Sequence, residues 1–207
     1  MTDEIGRRGF FREGMRAFVR ALAETADASR EFRGHKTVDQ NRRIRPPGAL
    51  PESDFLASCT PESCTACIDA CPCDAIVQVP DSFPDAKTPV IVPSLRACAS
   101  CLDVSCTHVC DTGALRPIES PEKIAMGLAV LDESTCFAFN GTFCVTCYNI
   151  CPVTPKAIRL NERGRPEVVE EPCTGCGICE ERCPTEPRAI RIAPPQPPPL
   201  TDGHPPI

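Results

Sequence analysis

Sixteen of the chain's seventeen cysteines fall into four groups of four, which begin at Cys59, Cys98, Cys136 and Cys173. The intervals between these first members are 39, 38 and 37 residues. A period this regular is internal repetition, in which each repeat is one supersecondary unit too small to bury itself alone. The repeats also end alike, on Ala75-Ile76, Ala114-Leu115, Ala157-Ile158 and Ala189-Ile190. Short β-like runs at residues 88–93, 125–132 and 166–171 precede the following groups. Each repeat therefore reads as a cysteine loop, a helical turn and a short β segment. Little else in the chain can supply cohesion: its 207 residues include no tryptophan, one tyrosine and 24 prolines. A chain so poor in packing bulk needs staples, as disulfides or as metal ligands.

The spacing inside the groups decides between these. The fourth group, Cys173-x2-Cys176-x2-Cys179-x3-Cys183-Pro184, is the run that holds [4Fe–4S] clusters, with its last cysteine directed to the other cluster of a pair. Three close thiolates grip three corners of one cube, and the x3 step carries the fourth sulfur to a neighbouring site. Gly175 and Gly177 are expected to let the backbone pass close to the cluster. The other groups keep the pattern with insertions: Cys59-x4-Cys64-x2-Cys67-x3-Cys71-Pro72, Cys98-x2-Cys101-x4-Cys106-x3-Cys110, and Cys136-x7-Cys144-x2-Cys147-x3-Cys151-Pro152. Group two carries Asp111 where the others have proline. Zinc ribbons use two separated pairs and have no use for a third cysteine followed by x3-Cys. Disulfides require an oxidising compartment and fit poorly with an odd count. The sixteen cysteines are therefore expected to be iron ligands of four [4Fe–4S] clusters. Cys73, the seventeenth, reads first as a small side chain packed beside a cluster, with an alternative ligand or a redox thiol as the other readings. His108, in a group that already has four thiols, reads as a hydrogen-bonding or solvent-facing residue.

Outside the repeats, Phe11, Met15, Phe18 and Leu22 recur at helical spacing, so an amphipathic helix is expected over residues 10–26. Residues 42–51, with three prolines, read as a linker, and residues 193–207, with seven, as an extended tail. Residues 1–45 hold eleven Arg and Lys against seven Asp and Glu, a net +4 that leaves −10 for the remainder to reach the overall −6. An acidic body argues against nucleic acid as a partner and for basic patches on protein partners. No run approaches the length of a transmembrane segment. Arg7-Arg8-Gly9-Phe10 looks like a twin-arginine export motif, but Glu13, Arg16, Arg20 and Glu24 break up the apolar run an export signal needs next, so a cytoplasmic location is expected.

Arg45-Pro46-Pro47 with residues 52–56 (Glu-Ser-Asp-Phe-Leu) ahead of Cys59, Cys136-Phe-Ala-Phe-Asn140 leading into Cys144, and the last cysteine group resemble the NapF ferredoxins, as does the Arg-Arg-x-Phe start. The middle of the chain, Cys144 to Pro152 above all, is similar to the related NapG and MauM proteins. The resemblance implies a cytoplasmic four-cluster ferredoxin of periplasmic nitrate reductase systems, one that contacts the molybdenum catalytic subunit before export and is linked to its maturation.

The expected fold is α+β: two ferredoxin-like 2[4Fe–4S] units built from four cysteine-loop repeats, with an N-terminal helix. The expected divisions are residues 1–45 (helix and linker), 46–132, 133–192 and the tail. Insertions after the first cysteine in groups one and three favour tandem pairing, one with two and three with four, with nested pairing left open. No nucleotide-binding or hydrolytic motif is present, and the three histidines are scattered, so the chain reads as an electron carrier and not an enzyme. Its partner is then a redox protein, a molybdoenzyme or larger oxidoreductase complex. The alternative is an assembly or maturation factor for such an enzyme.

Overall fold

Prolines and closely spaced cysteines leave no room for long elements, and the computed structural model is built from short ones. It describes residues 42–60, 64–80 and 87–195. The expected helix over residues 10–26 and residues 196–207 of the tail lie outside them. Four short α-helices are present among the described residues: α1 (Glu52–Ser58), α2 (Ala66–Asp69), α3 (Thr146–Ile150) and α4 (Ile178–Glu181). Three of them carry the third cysteine of a group, namely Cys67, Cys147 and Cys179. In group two a 3-10 turn, Ser105–Thr107, carries Cys106 instead.

The strands are β1 (Ile76–Pro80), β2 (Lys87–Ile91), β3 (Leu128–Leu131), β4 (Ile158–Leu160), β5 (Pro166–Val168) and β6 (Ile190–Ala193). They form three antiparallel pairs. β1 pairs with β2 (Ile76 opposite Ile91) and leads from group one to group two, while β4 pairs with β5 (Ile158 opposite Val168) and leads from group three to group four. β3 pairs with β6 (Leu128 opposite Ala193), so the strand before group three closes on the strand after group four. An isolated bridge between Ala49 and Leu115 closes groups one and two in the same way. The plan of the first two repeats is thus repeated in the last two. The β3·β6 pairing spans the expected boundary at residue 132, because β3 lies before it and β6 after it.

Each repeat's closing Ala-aliphatic step enters the core. Ala75, Ile76, Ala114, Leu115, Ala157, Ile158, Ala189 and Ile190 are all buried. The isoleucines among them pack with Ile91, Ile124, Met126 and Ile192, and with the thiols of Cys98, Cys106, Cys136, Cys147, Cys176, Cys179 and Cys183. The core is therefore partly sulfur.

The expected linker at 42–51 belongs to this core. Ile44 is 1% exposed, and Pro46 and Pro47 are among the most deeply buried residues. Arg45 explains why. Its guanidinium donates to both carboxylate oxygens of Glu52 (2.8 and 2.5 Å), to Thr88 Oγ1 (2.5 Å) and to the Pro89 carbonyl (2.9 Å). It also lies 4.5 Å from the centroid of the buried Phe55 ring. Composition suggested a linker because proline usually marks one, but here the prolines sit in the apolar layer and Arg45 has its donors satisfied.

A second ion pair ties this segment to the last group. Glu180 in α4, 1% exposed, accepts from the Arg42 guanidinium and from the Ile192 amide (2.7 Å), while Arg42 Nε donates to the Ile192 carbonyl (2.8 Å). Gly175 has a role in the same region. Its φ is +67°, and a Cβ there would sit 2.5 Å from the backbone N and O of Gly127. A Cβ on Gly177 would sit 2.5 Å from that of Pro93. The group-four glycines were expected to serve cluster approach; what they admit is a neighbouring segment of chain, because the repeats pack backbone against backbone.

Anaerobic guanidinium unfolding monitored by circular dichroism checks both contacts. Arg42→Met leaves a buried carboxylate without its cation and costs about 3–5 kcal/mol, whereas Glu180→Gln keeps an acceptor for Ile192 and costs about 1–2 kcal/mol. Gly175→Ala, which must move backbone, costs about 2–4 kcal/mol. Gly164→Ala, at φ +71° in open space, costs about 1 kcal/mol.

Candidate metal centres

The thiols gather in four sets, each taking three from one group and the fourth from its neighbour. Cys67 lies within electrostatic reach of Cys59, Cys64 and Cys110, which together form site I. Cys98, Cys101 and Cys106 gather with Cys71 as site II. Cys147 faces Cys136, Cys144 and Cys183 as site III. Cys173, Cys176 and Cys179 gather with Cys151 as site IV. In every group the cysteine set off by the x3 step has left its own set for the partner's. All sixteen residues singled out in the sequence are thus brought together in fours.

The local geometry explains this exchange. The helical turn that holds the third cysteine ends within one to three residues, and the chain then bends toward the Ala-aliphatic step. In group one, Ala75 N–H donates to Cys71 Sγ at 3.3 Å, and in group two Leu115 N–H donates to Cys110 Sγ at 3.3 Å. A hydroxyl two residues after a cysteine lies against the sulfur of Cys110 (Thr112, 3.5 Å), Cys144 (Thr146, 3.6 Å) and Cys183 (Thr185, 3.2 Å). These donors govern the ionisation of two of the exchanged thiols. Burial pushes Cys183 up, but the Thr185 hydroxyl and the amides of Thr185, Ile190 and Ala189 together hold it below the ordinary thiol range. Cys110 is lowered in the same way, its burial outweighed by the Thr112 hydroxyl and the amides of Leu115, Ala114 and Gly113.

The thiols deeper in the sites behave oppositely. Burial pushes Cys67 and Cys147 up to about 11 and Cys98 and Cys106 up to about 12, with neighbouring thiols adding to the effect, and it raises Cys179 as well. At neutral pH these sulfurs hold protons until a cationic centre displaces them, so metal loading releases protons and is coupled to folding.

Sites II and IV open as recesses of about 350 and 300 Å3, counting their mouths. Their walls are thiols and apolar side chains, Ile76, Ile91 and Val104 in one, Ala129, Val153 and Ile158 in the other. Among the described residues no three His, Cys, Asp or Glu converge closely enough to hold a single metal ion. The sulfurs instead line the walls of a space, which suits a polynuclear iron–sulfur core and its preference for thiolate ligands. Two buried hydroxyls, Ser100 and Thr174, have no hydrogen-bond partner of ordinary geometry among the described residues. Both sit in the x2 loop between the first two cysteines of their group, and Thr174 lies beside the Cys176 sulfur, whose thiolate it favours. Thr174 also borders the site IV recess, where a cluster sulfide would give its hydroxyl a further acceptor. The residues present therefore fit a [4Fe–4S] group, which when bound accepts and returns one electron.

The sets also touch one another. Cys106 of site II is in electrostatic reach of Cys67 of site I, and Cys179 of site IV of Cys147 of site III. Cys98 of site II reaches Cys176 of site IV and donates its N–H to that residue's carbonyl at 2.9 Å. The His108 ring nitrogen meets the Ile118 carbonyl at 3.1 Å. Cys73 borders site II. The spacing analysis missed Arg42, Arg45 and Glu180 as organisers of the groups, because most of their partners lie far along the chain. Ser100 and Thr174 could have been found from their place in Cys-x-Ser-Cys and Cys-Thr-x-Cys.

Comparison with known proteins agrees with this chemistry. A 4Fe-4S binding domain matches residues 166–188, which hold β5 and group four. The chain is 40% identical over 147 residues to the methylamine utilization ferredoxin-type protein MauM of Methylorubrum extorquens, a match covering 66% of this chain and 66% of that protein. It is 42% identical over 144 residues to MauM of Methylophilus methylotrophus (65% and 63%), and 40% identical over 148 residues to the ferredoxin-type protein NapG of Escherichia coli (65% and 63%). The matched region spans just under two thirds of these relatives. No solved structure matches the chain at a significant level. Likeness to MauM and NapG was expected for the middle of the chain; the NapF type in particular is not what these names carry. The chain is thus similar over about two thirds of its length to the ferredoxin-type proteins MauM and NapG, and its residues 166–188 match a 4Fe-4S binding domain.

Proposed function

We propose that the chain is a polyferredoxin that holds four [4Fe–4S] clusters at sites I to IV and relays electrons to or from a redox enzyme, with a molybdoenzyme such as periplasmic nitrate reductase as the partner class. The observation that carries this reading is the exchange of x3 cysteines within pairs. It supports reading one and two, and three and four, as two interlocked ferredoxin-like units in tandem. Because β3 pairs with β6, this reading puts the division between the units ahead of β3 and not at residue 132.

The contacts between sets arrange the sites in the order I, II, IV, III. One of the contacts between the two units, the amide of Cys98 on the carbonyl of Cys176, joins the inner pair of sites through backbone. The ends are chemically distinct. All four thiols of site I are half-buried, and at site III the insertion between Cys136 and Cys144 presents Phe143, 86% exposed, and Phe137. An electron enters at one end and leaves at the other, and the residues of the chain hold the clusters apart from water between them. Amide and hydroxyl donors at Cys110 and Cys183 favour extra electron density at the end sites I and III. The acidic body directs docking to basic surfaces, and a cysteine content used for iron ligation suits a reducing compartment such as the cytoplasm.

Anaerobic redox titration with EPR spin quantitation tests the reading. Full reduction gives about four spins per chain, with reversible potentials and magnetic coupling between clusters. Replacing Cys98 and Cys106 together by alanine lowers this to about three and removes the coupling between the remaining cluster at site I and those at III and IV. Fewer than four spins in the unaltered chain, or clusters passed readily to an apo-enzyme, would instead support an assembly or maturation factor.

A further inference from the structure

Site II differs from site IV in one respect: its recess is lined by five thiols. Cys73, two residues beyond Cys71, borders the same cavity as Cys71, Cys98, Cys101 and Cys106. It lies within electrostatic reach of the Cys101 thiol there.

The turn that presents Cys73 is held from both sides. Asp74 adopts φ +49°, a left-handed conformation uncommon for a residue with a side chain, and donates its N–H to the Cys71 carbonyl at 3.2 Å. Arg96 donates to the Cys73 carbonyl at 3.1 Å and lies 3.8 Å from the Asp74 carboxylate. Cys73 thus has a defined place at the cavity wall.

Cys101 is the loosest of the four thiols opposite. Cys98 and Cys106 are buried, and Cys71 accepts the Ala75 amide, whereas Cys101 is half-exposed. It stands between Ser100 at φ +52° and Leu102, which is 86% exposed, at the start of the x4 insertion that separates it from Cys106.

We propose that Cys73 is a reserve iron ligand of site II that exchanges with Cys101. The inference rests on the four-cluster reading. In the exchange the bond from Cys101 Sγ to iron breaks and that sulfur takes up a proton. Cys73 Sγ loses its proton and forms the new bond to the same iron. One thiol and one thiolate are present before and after, and no electron is gained or lost. Site II can then change one ligand without losing its cluster, and can offer an iron with a replaceable ligand next to the exposed Leu102.

The full-length chain, loaded anaerobically, provides the test. Wild type contains about sixteen irons, and a lower figure there would defeat the four-cluster reading itself. Cys101→Ala alone and Cys73→Ala alone each keep about sixteen irons, the former with one altered EPR signal. Cys73→Ala with Cys101→Ala together fall to about twelve, as does Cys98→Ala with Cys73 present. Cys101→Ala alone at about twelve irons overturns the proposal. A second measurement needs no variant: brief iodoacetamide labelling of the loaded wild type, read by mass spectrometry, divides between Cys73 and Cys101. Label confined to Cys73, or absent from both, overturns it equally.

Discussion

The thiols of this protein are shared across repeats, and the rest of its structure depends on that sharing. A cysteine set one to three residues beyond a helical turn cannot point back into the space its own group surrounds, so it completes the neighbour's. Cys71 and Cys110 change places in this way, as do Cys151 and Cys183. Each repeat is thereby incomplete both as a fold and as a site, and the two deficiencies have one remedy. Buried sulfurs such as Cys98, Cys106 and Cys179 stand where an ordinary domain would place leucine or phenylalanine, and burial alone drives them to the protonated state. Only a cationic centre makes the thiolate form favourable there, so cohesion and cofactor are the same interaction seen from two sides.

The surroundings of the sulfurs are shaped by this sharing. Short strands pair twice over in the same plan, a hairpin between the groups of a pair and a closing contact around them. Backbone comes close to backbone where Gly127 meets Gly175, leaving no side chain between the segments. The two cations and their acids act at longer range. Arg45 fixes the entry to group one through Glu52, Thr88 and Phe55, and Arg42 fixes the same segment to group four through Glu180. Both arginines lie in a stretch whose prolines suggested a linker, and both have partners that no local pattern announces.

The touching of sets through Cys106 and Cys67, Cys98 and Cys176, and Cys179 and Cys147 gives the arrangement direction. Three of the four thiols are buried at site III, two each at sites II and IV, and none at site I. The outer members differ in their surroundings, one ringed by half-buried thiols and the other carrying exposed phenylalanines on an inserted loop. Unlike ends suit unlike partners, which is what the proposed relay between a donor and an enzyme requires.

The sequence by itself determined the chemistry: soft sulfur ligands in fours, at spacings that suit a cubane and no single ion, repeated with a regular period and closed each time by an Ala-aliphatic step. These features were legible because ligand spacing is a local property, set by how far a few residues of backbone can reach. Tertiary structure decided which groups exchange their last cysteine, which sets lie side by side, and where the seventeenth thiol stands. It also turned residues 42–51 from a linker into core and gave Gly175 a neighbour in Gly127. These depend on contacts between residues that are tens to more than a hundred positions apart. Spacing along the chain carries no record of such contacts, because they are selected by the packing of whole repeats.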